Sequence, residues 1–146
     1  MKANSKFDYI IVGGGLSGLH LSYCFLNDKY FKDYSILIID KGKSKMSDNY
    51  FSYWESGDGN WDSILKNKWN KGHFFSSKGK VKMDFSDYSY KTLSSSKFKE
   101  YVKKNIKKNK QFKLINDTVL NIREENNGVV VVGNKRNYYA KHIFDS

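Results

Sequence analysis

The sequence predicts an α/β fold that opens with a parallel βαβ unit and continues into an antiparallel β-meander, and three observations carry that expectation. Two short runs, Phe7–Val12 and Ser35–Asp40, are apolar and β-branched along most of their length, as strands covered on both faces of a parallel sheet are. Between them Leu16, Leu19, Tyr23 and Leu26 recur at helical spacing directly after a run of glycines. Beyond Asp117, β-rich runs alternate with turn residues.

In chain order, the first strand ends at Gly13 and the helix ends at Asn27-Asp28, residues that disfavour helix continuation; the second strand closes on Asp40. Lys41 to Gly72 is polar, glycine-bearing and aromatic without a clear period, and reads as loop with short elements. Rough alternation over Val81, Met83, Phe85, Tyr88 and Tyr90, broken by Lys78-Gly79-Lys80, predicts a small antiparallel piece between His73 and Leu93. Ser94–Ser96 can cap a helix with Phe98, Tyr101, Val102 and Ile106 on one face, while Lys99, Lys103, Lys104, Lys107 and Lys108 form a solvated remainder. A third strand at Phe112–Ile115 precedes three antiparallel strands, Thr118–Glu124, Val129–Val132 and Tyr138–Ala140, and a further strand at His142–Asp145. On this reading the chain is the N-terminal part of a larger fold, with the substrate domain absent.

The 146 residues suffice for one core, and 39% hydrophobic with 16% aromatic residues excludes a disordered chain. A net charge of +11 raises nucleic acid as a partner, yet all but two of the 26 basic residues, Arg123 and Arg136, are Lys. Base and phosphate recognition favours the planar guanidinium of Arg, so no nucleic-acid partner is expected. Cys24 is the single cysteine and His20, His73 and His142 are scattered, which argues against disulfides and metal clusters. The polar stretch Met1–Lys6 leads into only a short apolar segment, and no run reaches the roughly 18 apolar residues of a transmembrane helix. A cytoplasmic location is expected.

Gly13-Gly14-Gly15-Leu16-Ser17-Gly18 contains the pattern G-x-G-x-x-G after a strand and at the opening of a helix, with Asp40 ending the second strand. In that context the pattern predicts a Rossmann-like dinucleotide site. Gly13 permits the tight turn, Gly15 lets a pyrophosphate approach the backbone, and Gly18 lets the helix pack close to the strand; the helix N-terminus attracts the anion. Asp40 would accept hydrogen bonds from the ribose hydroxyls. The candidate nucleotide-binding residues are Gly13, Gly15, Leu16, Ser17, Gly18, Asp40, Lys41 and Val119. A meander in place of further strand–helix units resembles the two-dinucleotide-binding flavoproteins and so favours FAD over NAD.

Asp8–Leu19, Ile36–Lys41, Trp54-Glu55, Tyr88-Ser-Tyr90 and Ile143–Ser146 together resemble the bacterial lycopene cyclase family in order and spacing. Where that family has Asp-Arg-Thr-Trp-(Cys/Ser)-Phe-Trp, this chain reads Asp48-Asn-Tyr-Phe-Ser-Tyr-Trp54, so Asn49 replaces the arginine and Phe51 the first tryptophan. The resemblance implies an FAD enzyme, with NADPH as candidate reductant, that closes the ends of lycopene into rings, an isomerisation through a carbocation. It implies a carotenoid partner and peripheral contact with the inner face of a membrane, aided by the basic helix. The acidic motif that the family assigns to catalysis has no counterpart here. Glu55, beside aromatic residues, is the nearest candidate acid, with a salt-bridged role as its alternative; Tyr50–Trp61 either lines a carotenoid channel or is ordinary core. Two other classes stay open: another FAD-dependent oxidoreductase (a monooxygenase or polyprenyl reductase), and a basic binding module without flavin; by itself the chain is expected to be inactive and to retain little or no FAD.

Overall fold

The computed structural model describes residues 6–42 and 49–146. In chain order these form β1 (Lys6–Val12), α1 (Leu16–Asn27), β2 (Ile36–Asp40), β3 (Tyr50–Ser56), β4 (Leu65–Trp69), β5 (Lys71–Ser76), β6 (Gly79–Asp84), β7 (Tyr88–Ser94), α2 (Ser95–Lys107), β8 (Phe112–Asn116), β9 (Val119–Glu125), β10 (Gly128–Gly133) and β11 (Asn137–Asp145). They fall into two compact units, residues 46–98 and the remainder.

The first unit carries a six-stranded sheet in the order β8-β2-β1-β11-β10-β9. β1 pairs in parallel with both β2 and β11, β2 in parallel with β8, and β9, β10 and β11 are antiparallel. Ile10, Ile11 and Ile36 to Ile39 are fully or almost fully buried, which is why β1 and β2 are apolar without alternation. The stretches expected as two strands, Tyr138–Ala140 and His142–Asp145, are one continuous strand. Its residues 137–140 pair with β10 and its residues 139–145 with β1, so the meander and the parallel sheet share β11.

The edge strands β8 and β9 are joined by only Asp117 and Thr118. Three Cα–Cα steps span about 11 Å at most, whereas five gaps of a flat sheet would separate its edges by about 24 Å. The sheet must therefore curl. Ile115 of β8 and Val119 of β9 accordingly pack on one cluster, Ile10, Leu37, Ile39, Val131, Tyr138 and Ala140. The buried Asp117 locks this closure: it accepts from Tyr138 Oη at 2.6 Å and from the N–H groups of Thr118 and Lys135. Burial alone would raise its carboxyl, but those donors outweigh it and the net shift is downward.

The buried line of α1 is Gly18, Leu19, Ser22 and Phe25, one step round from the leucine stripe that the spacing suggests. Small residues at Gly18 and Ser22 let the helix lie close; Ser22 Oγ donates to the Gly18 carbonyl at 2.6 Å. At the other end of β1, Asp8 ion-pairs with Lys141 at 2.7 Å and accepts from the N–H and hydroxyl of Ser35. Lys141, with Ser35, holds its carboxyl down at about 2 against the opposing effect of burial. Because the folded value lies below the ordinary 3.8, this stabilisation is complete above about pH 4 and is lost as pH falls through about 2. Asp8→Asn is expected to cost about 1 kcal/mol near neutral pH after screening at the exposed lysine, and to flatten the acid limb of a stability-versus-pH titration.

The second unit holds a three-stranded antiparallel sheet, β3-β7-β4, and the hairpin β5-β6. Residues 50–56 and 65–69, in the stretch expected as loop with short elements, are strands. β3 does alternate in burial, but Glu55 sits in its inner row and Tyr50 and Trp54 in its outer row, so hydrophobicity does not reveal the period. The β5-β6 hairpin spans the Lys78-Gly79 turn signal, and α2 starts at the expected serines, where Ser94 Oγ accepts from Lys97 N–H.

Candidate functional site

The carboxyl ends of β11, β1, β2 and β8 meet at one edge of the first unit, and the glycine turn lies there. β1 is where the sheet order departs from chain order, with β2 on one side and β11 on the other, the crevice in which open α/β sheets bind ligands. Gly13 has φ +101°, the left-handed region, and its N–H donates to the Ile39 carbonyl at 2.8 Å. Ser146 donates from its N–H to the Val12 carbonyl, and its Oγ lies 2.7 Å from where a Cβ on Gly13 would stand. A Cβ on Gly18 would run into the Gly13 carbonyl oxygen, whereas one on Gly15 would meet nothing within 4 Å. Gly15 caps α1 without a side-chain hydrogen bond, and the first turn has no acidic residue. The N–H groups of Leu16, Ser17 and Gly18 open the helix beside this space, which is clear among the described residues at Gly15, with the positive end of the helix behind them.

Asp40 ends β2 against the turn, close enough that a Cβ on Gly14 would strike its carboxylate. One carboxylate oxygen accepts from Gly42 N–H at 3.3 Å and the other pairs with Lys103 of α2 at 3.6 Å. Lys103 is thereby set apart from Lys104, Lys107 and Lys108, which are exposed; no feature of the sequence distinguishes it among them. Lys41 is exposed immediately beyond β2, and Val119 packs against the cluster that includes Ile39.

In the second unit Lys91 is completely buried, donating to Glu55 at 2.8 Å, Asp62 at 2.6 Å and the Gly57 carbonyl at 2.9 Å. Glu55 is thus the counter-ion of Lys91. The Tyr53 hydroxyl, on the same face of β3, is buried without a hydrogen-bond partner among the described residues, and burial pushes the phenol up. Within Tyr50–Trp61 the aromatic residues divide: Phe51 and Trp61 pack on Phe98, while Tyr50 and Trp54 lie half-exposed on the opposite side. Asp48, the first residue of the motif compared with the cyclases, lies outside the described residues; Asn49 is exposed at the start of β3.

A family model described as lycopene cyclase protein matches residues 8–146. The chain belongs to the lycopene cyclase family. No curated protein matches it by sequence. Among solved structures it is similar to the p-nitrophenol 4-monooxygenase PnpA from Pseudomonas putida, at 14% identity and a TM-score of 0.76 over 97% of this chain and 41% of that one. It is also similar to PqsL, a probable FAD-dependent monooxygenase from Pseudomonas aeruginosa, at 8% identity and 0.66 over 95% and 42%, and to the flavin-dependent brominase Bmp2, at 15% and 0.66 over 97% and 38%. At such identities the likeness is one of fold, and the fold of this lycopene cyclase family member is the Rossmann-like one of FAD-binding enzymes. The chain spans less than half the length of each of these three proteins.

Proposed function

We propose that this chain holds the ADP half of FAD in a longer flavoenzyme that cyclises the ends of an acyclic carotenoid such as lycopene. The observation that carries the nucleotide part is the open space at Gly15, in front of three uncapped helical amides and beside Asp40. The amides of Leu16, Ser17 and Gly18 bind the pyrophosphate, and Asp40 accepts from the ribose hydroxyls, its carboxylate oriented by Lys103 and Gly42. Bound and reduced, the flavin supplies an electron-rich surface that stabilises cationic character in the polyene. Glu55 serves as a structural anion, its charge engaged by Lys91. The carotenoid part of the reading is supported by membership of the family.

The test uses the full-length protein with FAD, NADPH and lycopene in vesicles. The expected product is a ring-bearing isomer of unchanged mass; a product that gains oxygen or hydrogen, with NADPH consumed stoichiometrically, would instead assign the protein to the monooxygenases or reductases. Loss of the ribose hydrogen bonds in Asp40→Ala is expected to weaken FAD binding about ten- to a hundredfold, read by flavin fluorescence titration. Unaltered affinity would remove Asp40 from the site.

A further inference from the structure

Strands β5 and β6 form a two-stranded sheet of their own, with paired residues sharing a face. One face carries Gly72 with Met83 and Phe74 with Val81; the other carries Lys71 with Asp84, His73 with Lys82, and Phe75 with Lys80. The first is apolar and open: Phe74 is 58% exposed, Val81 59% and Met83 39%. The second is cationic, because among the described residues only Lys71 of its lysines has an acidic partner, Asp84 at 3.9 Å; Lys80 lies over the Phe75 ring, and exposed Lys78 sits at the tip. The apolar face does not end with the hairpin. Phe85 lies against Gly72 and meets Trp54 edge-on at 4.6 Å, and Trp54 in turn contacts Tyr90, which contacts Trp69. Trp54 and Trp69 are 54% and 42% exposed.

A hairpin of two strands is marginal in water, and a contiguous exposed patch of this kind marks a surface that is covered in use. We propose that the β5-β6 hairpin and the aromatic row beside it dock on an anionic lipid bilayer. The charge pattern selects this occupant. A strip of lysines on one face and at the tip, backing an apolar face flanked by tryptophans, is the strand counterpart of an interfacial amphipathic helix: the apolar face enters the acyl boundary, the lysine ammonium groups reach the phosphates, and the indoles sit at headgroup level. Among the described residues no helix is long and apolar enough to span a membrane. The inference does not depend on the nucleotide reading and fails or stands separately from it.

The experiment is sedimentation with vesicles of phosphatidylcholine containing phosphatidylglycerol, read alongside tryptophan emission. Binding is expected with a blue shift as Trp54 and Trp69 leave water, and is expected to weaken with added salt. Phe74→Asp combined with Val81→Asp is expected to abolish it, and Lys80→Ala with Lys82→Ala to weaken it about thirtyfold, about fivefold for each lysine. These side chains are exposed, so unchanged far-UV circular dichroism should accompany the loss. Replacement of Lys104, Lys107 and Lys108 on α2 by Ala should leave binding within a few-fold. The proposal is overturned if the hairpin variants bind as tightly as the parent, if the α2 variant is the one that loses binding, or if pure phosphatidylcholine serves equally well. A vesicle-free dimer that the Phe74→Asp, Val81→Asp variant dissolves would assign the face to a second copy instead and equally overturn it.

Discussion

Gly18→Ala is expected to destabilise the first unit by several kcal/mol and to weaken FAD binding by more than a hundredfold. The added methyl meets the carbonyl oxygen of Gly13, a backbone atom held in place by the Gly13 N–H bond to Ile39 and by its left-handed φ. No flexible side chain can yield, so the start of α1 must move away from the end of β1. Overpacking of this kind costs about 1–3 kcal/mol or more, and the displaced helix takes with it the amides of Leu16, Ser17 and Gly18. Gly15→Ala provides the contrast: its φ is −73°, ordinary for any residue, and its Cβ would meet nothing within 4 Å among the described residues. Stability there should be unchanged or slightly raised, while affinity still falls, because the methyl occupies the position proposed for the pyrophosphate. Urea unfolding and flavin titration on both variants separate the two effects. Equal FAD affinity of Gly15→Ala and the parent would place the phosphate elsewhere, and a Gly18→Ala variant as stable as the parent would show that α1 can shift without penalty.

The parts of this fold that were legible in the sequence are those where one requirement dominates. β1 and β2 must be apolar on both faces because helices and meander cover them, and the glycine turn must be glycine because left-handed backbone and close approach forbid side chains at Gly13 and Gly18. Where two requirements compete, the pattern fades. β3 and β4 fall in a stretch that read as loop with short elements because aromatic residues stand on both faces of β3 with Glu55 in its inner row, and β4 is exposed beyond Leu65. The single long β11 read as two strands because its neighbours change: residues 137–140 pair with β10 and residues 139–145 with β1, so among the described residues the two partners overlap only at Tyr139 and Ala140. The curl of the sheet follows from a two-residue connection, but only once the strand order is known. Asp117, which fixes that curl, sits between two strand signals and looks like any turn aspartate. Lys103 and Lys91 were invisible for a plainer reason. In a chain with two dozen lysines, residue type says nothing about which one lies against a carboxylate.

Lys91→Met is expected to destabilise the second unit by about 3 kcal/mol, at the lower end of what breaking a buried ion pair costs. The ammonium is fully buried, and burial by itself would lower its affinity for the proton; the carboxylates of Asp62 and Glu55 outweigh that and push it up to about 12. The folded value lies above the ordinary 10.5, so the stabilisation is complete below that pH and is lost as pH rises through about 12. Methionine fills the volume but leaves Glu55 and Asp62, 31% and 25% exposed, without the cation between them. Lys68, 3.3 Å from Asp62 and 3.1 Å from Asp58, compensates only at the Asp62 end, which together with partial solvation keeps the cost moderate. Neutralising the acids along with the lysine, as Lys91→Met with Glu55→Gln and Asp62→Asn, should recover most of the loss, since a buried ion network replaced whole by neutral groups is close to neutral in free energy. The readout is local. All three tryptophans, Trp54, Trp61 and Trp69, lie within residues 46–98, so their fluorescence follows this unit, while far-UV circular dichroism follows both. A Lys91→Met variant whose fluorescence transition coincides with that of the parent would mean the two carboxylates are satisfied without the lysine, and the network would then be an accessory of this fold rather than its support.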